Sequence, residues 1–338
     1  MAWEELELPW SLPCSSEEKA QGVPSYSLSE KELVVSGDGF KYVFNRTDGQ
    51  LTSMVVQDME LLESPLRLNL WRAPLANELD NWNASSARSS NWKEGYEYTV
   101  ATEMYSAGID RLTHQPLSFS VSETTEGVHI HIIDAELMGK GEKEKKDLYI
   151  EGVQNNGIIN HYEYIINSEG TIEIRHVLKP EGKMPLWFPR IGLTLTVSDA
   201  LDQVKWYGRG PQENYPDRKT GYPMGIYAST VQAMYEPYLM PQDYGLRTDV
   251  RWLQLTTDKG IGLQFKMNEW FNFNIYPYST DNLTKAMYTY QLQKQKGMTL
   301  NLDYATTGVG CTARGVFGAY KAMPQEYRRT ISIRPMMK

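Results

Sequence analysis

Cysteine is almost absent from this chain: Cys14 and Cys311 are the only two in 338 residues, and they stand near opposite ends. Two such thiols make no disulfide framework, and both are expected to be free. No CxxC pair exists, so Cys-based redox motifs and Cys-rich zinc shells are excluded. Long apolar runs are also missing. None approaches the ~18 residues that span a bilayer, and Met1 to Pro9 lacks the basic and apolar regions of a signal peptide. There is no surplus of positive charge, because 34 Lys and Arg stand against 42 Asp and Glu, for a formal charge of -8. No nucleic-acid partner and no membrane partner are therefore expected.

What the sequence does contain is core-forming material, with 41% hydrophobic and 22% charged residues. Local periodicity is two almost throughout. Glu32 to Val35, Phe40 to Phe44 and Gln50 to Val56 read as strands, the last two joined by Asn45-Arg-Thr-Asp-Gly49. Val128 to Ile133 alternates after Thr125-Glu-Gly127, and Tyr162 to Ile166 pairs naturally with Thr171 to Val177 across Asn167-Ser-Glu-Gly170. Further strands are expected at Arg190 to Val197, Trp252 to Thr256, Gly262 to Lys266, Leu300 to Asp303 and Thr330 to Ile333. Helical spacing is weak, with Ser229 to Tyr235 and Thr284 to Tyr290 the best short stretches. The expected class is all-β, with packed antiparallel sheets.

Residues 11–25 are small, polar and Pro-containing, which marks a linker. Residues 1–10, with their alternating Glu-Leu-Glu-Leu, look like a closing strand whose sheet lies elsewhere. One large domain is expected over 26–338. Asn45-Arg-Thr47, Asn83-Ala-Ser85 and Asn282-Leu-Thr284 fit the N-glycosylation pattern, a match that arises by chance in Asn-rich chains.

Two stretches are dense in chemistry. Trp71-Arg-Ala-Pro-Leu-Ala-Asn-Glu-Leu-Asp-Asn-Trp82 follows an apolar strand, and such a loop can hydrogen-bond hydroxyls. The competing reading is that Arg72 braces its own loop through carbonyls. In Trp206 to Gly221, Gly208, Gly210 and Pro211 break any helix and set Glu213, Asp217 and Arg218 on a rigid irregular loop. Tyrosine and tryptophan, 22 and 9 against 8 Phe, suit stacking on sugar rings, although β-sandwiches also use Tyr at half-buried positions. His129 and His131, two apart in a strand, put both rings on one face about 7 Å apart. A metal would need further ligands, and none is marked in the sequence. No GxSxG elbow supports a catalytic serine.

Arg72-Ala-Pro-Leu75 with Asn77, Pro189-Arg-Ile-Gly192, Gly210-Pro-Gln-Glu-Asn-Tyr-Pro-Asp-Arg218, Tyr235-x-Pro-Tyr238, Pro241 to Arg247, Phe271-Asn-Phe273, Asn301-Leu-Asp303 and Gly308-Val-Gly310 follow in order. Together they resemble the C-terminal region of family 2 β-galactosidases, from Tyr26 to about Pro335. The resemblance implies a large antiparallel supersandwich, galactose mutarotase-like, which in that family is the last domain or a separate small chain. It implies that residues 1–10 close a preceding immunoglobulin-like domain. Retaining glycosidases need two carboxyls about 5 to 5.5 Å apart, and in the family both glutamates lie on a TIM barrel that this chain does not contain.

No catalytic residue, no cofactor and no metal ligand is thus expected here; the Mg and Na ligands of the full enzyme are expected on that barrel. The expected partners are the remainder of the β-galactosidase and a galactoside, in a bacterial cytoplasm or periplasm. Arg72, Asn77, Glu78 and Asp80 are expected at the rim of the substrate cleft, with Glu213, Asp217 and Arg218 as a second candidate loop. Where many relatives carry a Trp after Gly308-Val-Gly310, this chain reads Cys311-Thr-Ala-Arg-Gly315. Arg314 is the replacement candidate there. A rival reading is a free-standing carbohydrate-binding or aldose-epimerising module, with His161 or His176 and Glu213 as acid and base.

Overall fold

A computed structural model describes residues 22–79, 104, 107–139, 156–311 and 315–337. The expected closing strand at 1–10, the linker up to residue 21, Asp80, Cys14 and Arg314 lie outside the described residues. All strand pairs among the described residues are antiparallel. Five strands form the smaller sheet in chain order, β1 (Ser25–Leu28), β2 (Glu32–Gly37), β3 (Phe40–Asn45), β4 (Gln50–Val56) and β5 (Met59–Glu60). Gly49, at φ 71°, takes the left-handed position that closes the β3–β4 turn.

The larger sheet has twelve strands. They are β6 (Leu62–Asn69), β7 (Thr113–Thr124), β8 (Gly127–Leu137), β9 (Gly157–Ile166), β10 (Ile172–Glu181), β11 (Arg190–Val197), β12 (Gln203–Arg209), β13 (Met224–Thr230), β14 (Arg247–Thr256), β15 (Gly262–Tyr276), β16 (Met298–Thr306) and β17 (Tyr327–Met336). One path runs β13-β12-β14-β15-β17-β10-β9-β8-β7, and a branch leaves β15 through β16 and β11 to β6. The branch is possible because β15 is long: Gly262 to Met267 pairs β17, whereas Asn272 to Tyr276 pairs β16.

Pro65 and Pro116 sit in β6 and β7, each with a single neighbouring strand. A proline there removes no ladder bond from a central pair. The inner faces carry one hydrophobic core that includes Leu33, Phe44, Ile130, Ile174, Leu193, Leu253, Phe265 and Ile333, and β4 packs on β6 to join the sheets.

Both helical expectations need correction. Ser229 to Tyr235 holds the end of β13 and a turn, in which the Met234 amide donates to the Thr230 carbonyl at 3.1 Å. That single α-turn brings Val231 and Met234 to one side and mimics helical spacing. The second helix lies earlier than expected: α2 spans Thr280–Lys285 after α1 (Ala76–Leu79), and Thr289–Gln291 is a separate 3-10 turn. Ser279 sets the α2 start by accepting from the Asn282 amide. Among the described residues no helix is long and apolar enough to cross a membrane.

Candidate functional site

The two dense stretches meet at a third, the backbone of residues 307–310 that leaves β16. Arg72 is fully buried. Its Nη1 donates to the Thr307 carbonyl at 2.6 Å, and its Nη2 to the Gly308 carbonyl at 3.0 Å and to Glu78 Oε1 at 2.7 Å. Glu78 Oε2 accepts from the Leu75 amide at 2.9 Å, which fixes α1 to the arginine. Asn77, half-buried, donates to the carbonyls of Val309 and Gly310 at 3.0 and 3.2 Å. From the other loop, Asp217 accepts the amides of Val309 and Gly310 at 2.9 and 2.7 Å. A Cβ on Gly308 would stand 2.3 Å from the Asp217 carboxylate, so this close approach requires glycine.

Arg72 and Glu78 thus act as internal braces of this loop, and among its described polar residues Asn77 keeps partial exposure. Glu213 and Arg218 stay apart from this clamp. Glu213 accepts from Arg218 at 2.9 Å, from the Tyr238 hydroxyl and from the Gly245 amide at 2.9 Å, which ties the 213–218 loop to 238–245. Arg218 is exposed, with its guanidinium over the Tyr215 ring.

Behind the clamp lies a buried ionic centre that sequence reasoning did not single out as a site. Arg190, at the start of β11, stands 3.2 Å from Asp243 and 3.4 Å from Asp303, and all three side chains are fully buried. The Arg190 Nε to Asp303 contact is a charge pairing without hydrogen-bond geometry. Burial pushes both carboxyls up despite the guanidinium, Asp303 to about 6. An amide relay completes the centre. Asn69 donates to Asn301, Asn301 to Asn274, and Asn274 to Asp243, at 3.0, 2.9 and 3.1 Å. Gly192 lets β16 approach, since a Cβ there would meet the Leu302 carbonyl at 2.3 Å. The available signal was an Arg and an Asp inside runs of apolar strand residues, where a buried charge must be paired.

Charge pairing also accounts for the carboxylates of a hollow of about 730 Å³ beside Trp71. There Glu136 binds His114 at 2.8 Å, Asp281 binds Lys285 at 2.8 Å, and Asp110 binds Arg111. His114 also meets the Asp48 carbonyl at 2.7 Å. With an acceptor on each ring nitrogen the imidazole is held as a cation, its pKa raised to about 9 chiefly by the Glu136 hydrogen bond.

The acid–base pairing of His176 with Glu213 is not what the structure holds. His176 is stacked on Tyr162, with Nδ1 2.6 Å from the Tyr304 hydroxyl and Nε2 3.1 Å from Asn160 Oδ1. Burial lowers its pKa to about 3, so it is a neutral core histidine. His161 lies on β9 opposite Ile133 and Val177, and every carboxylate oxygen of Glu213 is already engaged.

Comparison with known proteins gives these relations. The family model described as "Beta galactosidase small chain" matches residues 36–333. A β-galactosidase of Priestia megaterium is 31% identical over 310 residues, covering 92% of this chain and 27% of that protein. A β-galactosidase of Pseudoalteromonas haloplanktis is 27% identical, over 86% of this chain and 25% of that protein. The chain therefore spans about a quarter of the length of the curated relatives it matches. Among solved structures, the GalM/aldose epimerase homologue from C. elegans is similar with a TM-score of 0.44 and 10% identity, covering 93% of this chain and 98% of that one. Galactose 1-epimerase from Lactobacillus acidophilus is similar with a TM-score of 0.42 and 11% identity, covering 92% and 97%.

Proposed function

The chain belongs to the β-galactosidase small-chain family, and from that premise we propose that it completes the active-site cleft of a β-galactosidase whose catalytic glutamates are supplied by the rest of the enzyme. The whole enzyme would hydrolyse terminal β-D-galactosides, and any Mg or Na would be held on the catalytic barrel. The observation that carries this reading is the asymmetry of coverage: the relatives align with nearly all of this chain but with only a quarter of themselves.

The geometry is consistent with that division of labour. A retaining mechanism needs an acid and a free nucleophile flanking a sugar, about 5 to 5.5 Å apart. Among the described residues Asp243 and Asp303 flank Arg190 out of solvent reach, Glu78 and Glu213 are consumed by bracing bonds, and the neighbouring carboxyls of Asp134 and Glu136, which lie within 4.8 Å of each other, are engaged by Asn160 and His114. What this chain offers a substrate is a stiff rim, the clamped 307–310 backbone with Asn77 beside it.

The test is an assay with a chromogenic β-galactoside, first with the chain alone and then with the remaining portion of the enzyme supplied in trans. No turnover alone and turnover on mixing is the expected result. Hydrolysis by the isolated chain would overturn the assignment of chemistry to the other portion.

A further inference from the structure

Three of the chain's five histidines fall on one face of two adjacent strands. His129 and His131 are two apart on β8, their ring centroids separated by 6.4 Å. The register of β9 sets Glu163 directly opposite His131, and His161 opposite Ile133. Residues opposite each other in an antiparallel pair project to the same side. The ligand atoms of His129, His131 and Glu163 lie within 4.8 Å of one another. The sequence shows the histidine pair without a third donor, and strand pairing supplies it.

We propose that His129, His131 and Glu163 form a site for a divalent transition-metal ion of the zinc class, joining β8 to β9. Two imidazoles and one carboxylate, with room for water, are a donor set for such ions, whereas Mg²⁺ and Ca²⁺ prefer oxygen ligands. Donors on one tetrahedral zinc lie roughly 3.3 Å apart at the usual bond lengths, so side-chain rotations of an ångström or so close the site.

The first ligand is already oriented. His129 Nε2 is 2.8 Å from Thr124 Oγ1 on β7, and Nδ1 faces Glu163 Oε1 at 3.3 Å. A second-nitrogen partner of this kind fixes the tautomer and ring plane of a metal-bound histidine. Arg175 is the competitor for Glu163, but it takes the other oxygen, Oε2, at 3.1 Å. Its charge is shared with Glu173 at 2.9 Å. His131 is exposed, with neither ring nitrogen hydrogen-bonded among the described residues.

Calorimetric titration of the full chain with ZnCl₂ should show a saturable equivalent that is weakened by substitutions in this cluster, and MgCl₂ should give no saturable heat. His131→Ala and Glu163→Gln should each weaken zinc by about tenfold or more. Zinc should raise the melting temperature of the wild-type chain more than that of either variant at the same zinc concentration. With CuCl₂ in place of zinc, electron paramagnetic resonance should show nitrogen couplings that diminish in His131→Ala. No saturable zinc heat would overturn the proposal, as would zinc affinity left unchanged by both substitutions. Because His131 is exposed and Gln preserves the shape of Glu163, neither variant threatens the fold.

Discussion

Arg72→Met is the most informative perturbation of the clamp on residues 307–310. The wild-type guanidinium makes three charge-assisted hydrogen bonds, to Glu78 and to the carbonyls of Thr307 and Gly308. Met fills part of the volume but supplies no donor. Glu78 would then keep only the Leu75 amide while remaining buried. Removing one partner of a buried pair costs about 3–5 kcal/mol, most of it from the stranded charge. If that is the origin of the cost, Arg72→Met combined with Glu78→Gln should be less destabilised than the sum of the single variants by roughly 1–3 kcal/mol. Urea unfolding of the four proteins, followed by circular dichroism, closes the cycle. Limited proteolysis should show earlier cleavage near 307–316 in the single Arg72 variant. Additive losses, or a single-variant loss below about 1 kcal/mol, would refute the reading of Arg72 as a buried brace.

Other outcomes follow from the same geometry. His176 stays neutral when folded, at about 3 against an ordinary value near 6.5, so the unfolded chain binds the extra proton as pH falls. Its contribution is present above pH 6.5 and is lost on acidification, by about 3 kcal/mol between pH 6.5 and pH 4; His176→Gln should flatten that limb in urea titrations at stepped pH. Asp303, raised to about 6 by burial, has the opposite sign: the folded protein holds a proton that the unfolded chain releases near pH 4. Asp303→Asn should therefore gain on wild type by roughly 2 kcal/mol as pH rises from 4 to 7, and a constant difference would count against it. The His114 imidazolium should titrate near pH 9 by NMR, its stabilising effect complete below pH 6.5 and lost as pH rises through 9. Asn77→Ala should cost under about 1 kcal/mol of stability yet raise KM in the reconstituted enzyme, and an unchanged KM would remove Asn77 from the cleft.

Where structure is local, the sequence was readable. The β9–β10 hairpin was visible because Asn167 to Gly170 carries turn chemistry between two alternating runs, and the observed register pairs Ile166 with Ile172. Arg190 to Val197 was bounded correctly because its pattern is unbroken. β15 was seen only at its start, since Asn268 to Trp270 is exposed where the strand changes partners and the alternation lapses. β7 escaped notice because an edge strand with Pro116 and a largely exposed surface shows little apolar periodicity.

The clamped loops show the same divide. Composition located both dense loops, but no sequence feature tells an arginine that faces a ligand from one that faces its own backbone. Burial decides that, and burial of Arg72 depends on carbonyls 235 and 236 residues away. The Arg190 centre and the placement of Glu163 opposite His131 are likewise products of strand pairing between distant segments.

The clamp on 307–310 constrains engineering. Its carbonyls are held from the Trp71 loop and two of its amides from Asp217, so the three stretches form one mechanical unit. A chimaera that imports only one of them from a relative separates that stretch from the partners that anchor it here. Exchanging all three together is the smallest transplant that keeps every anchor with its own partner.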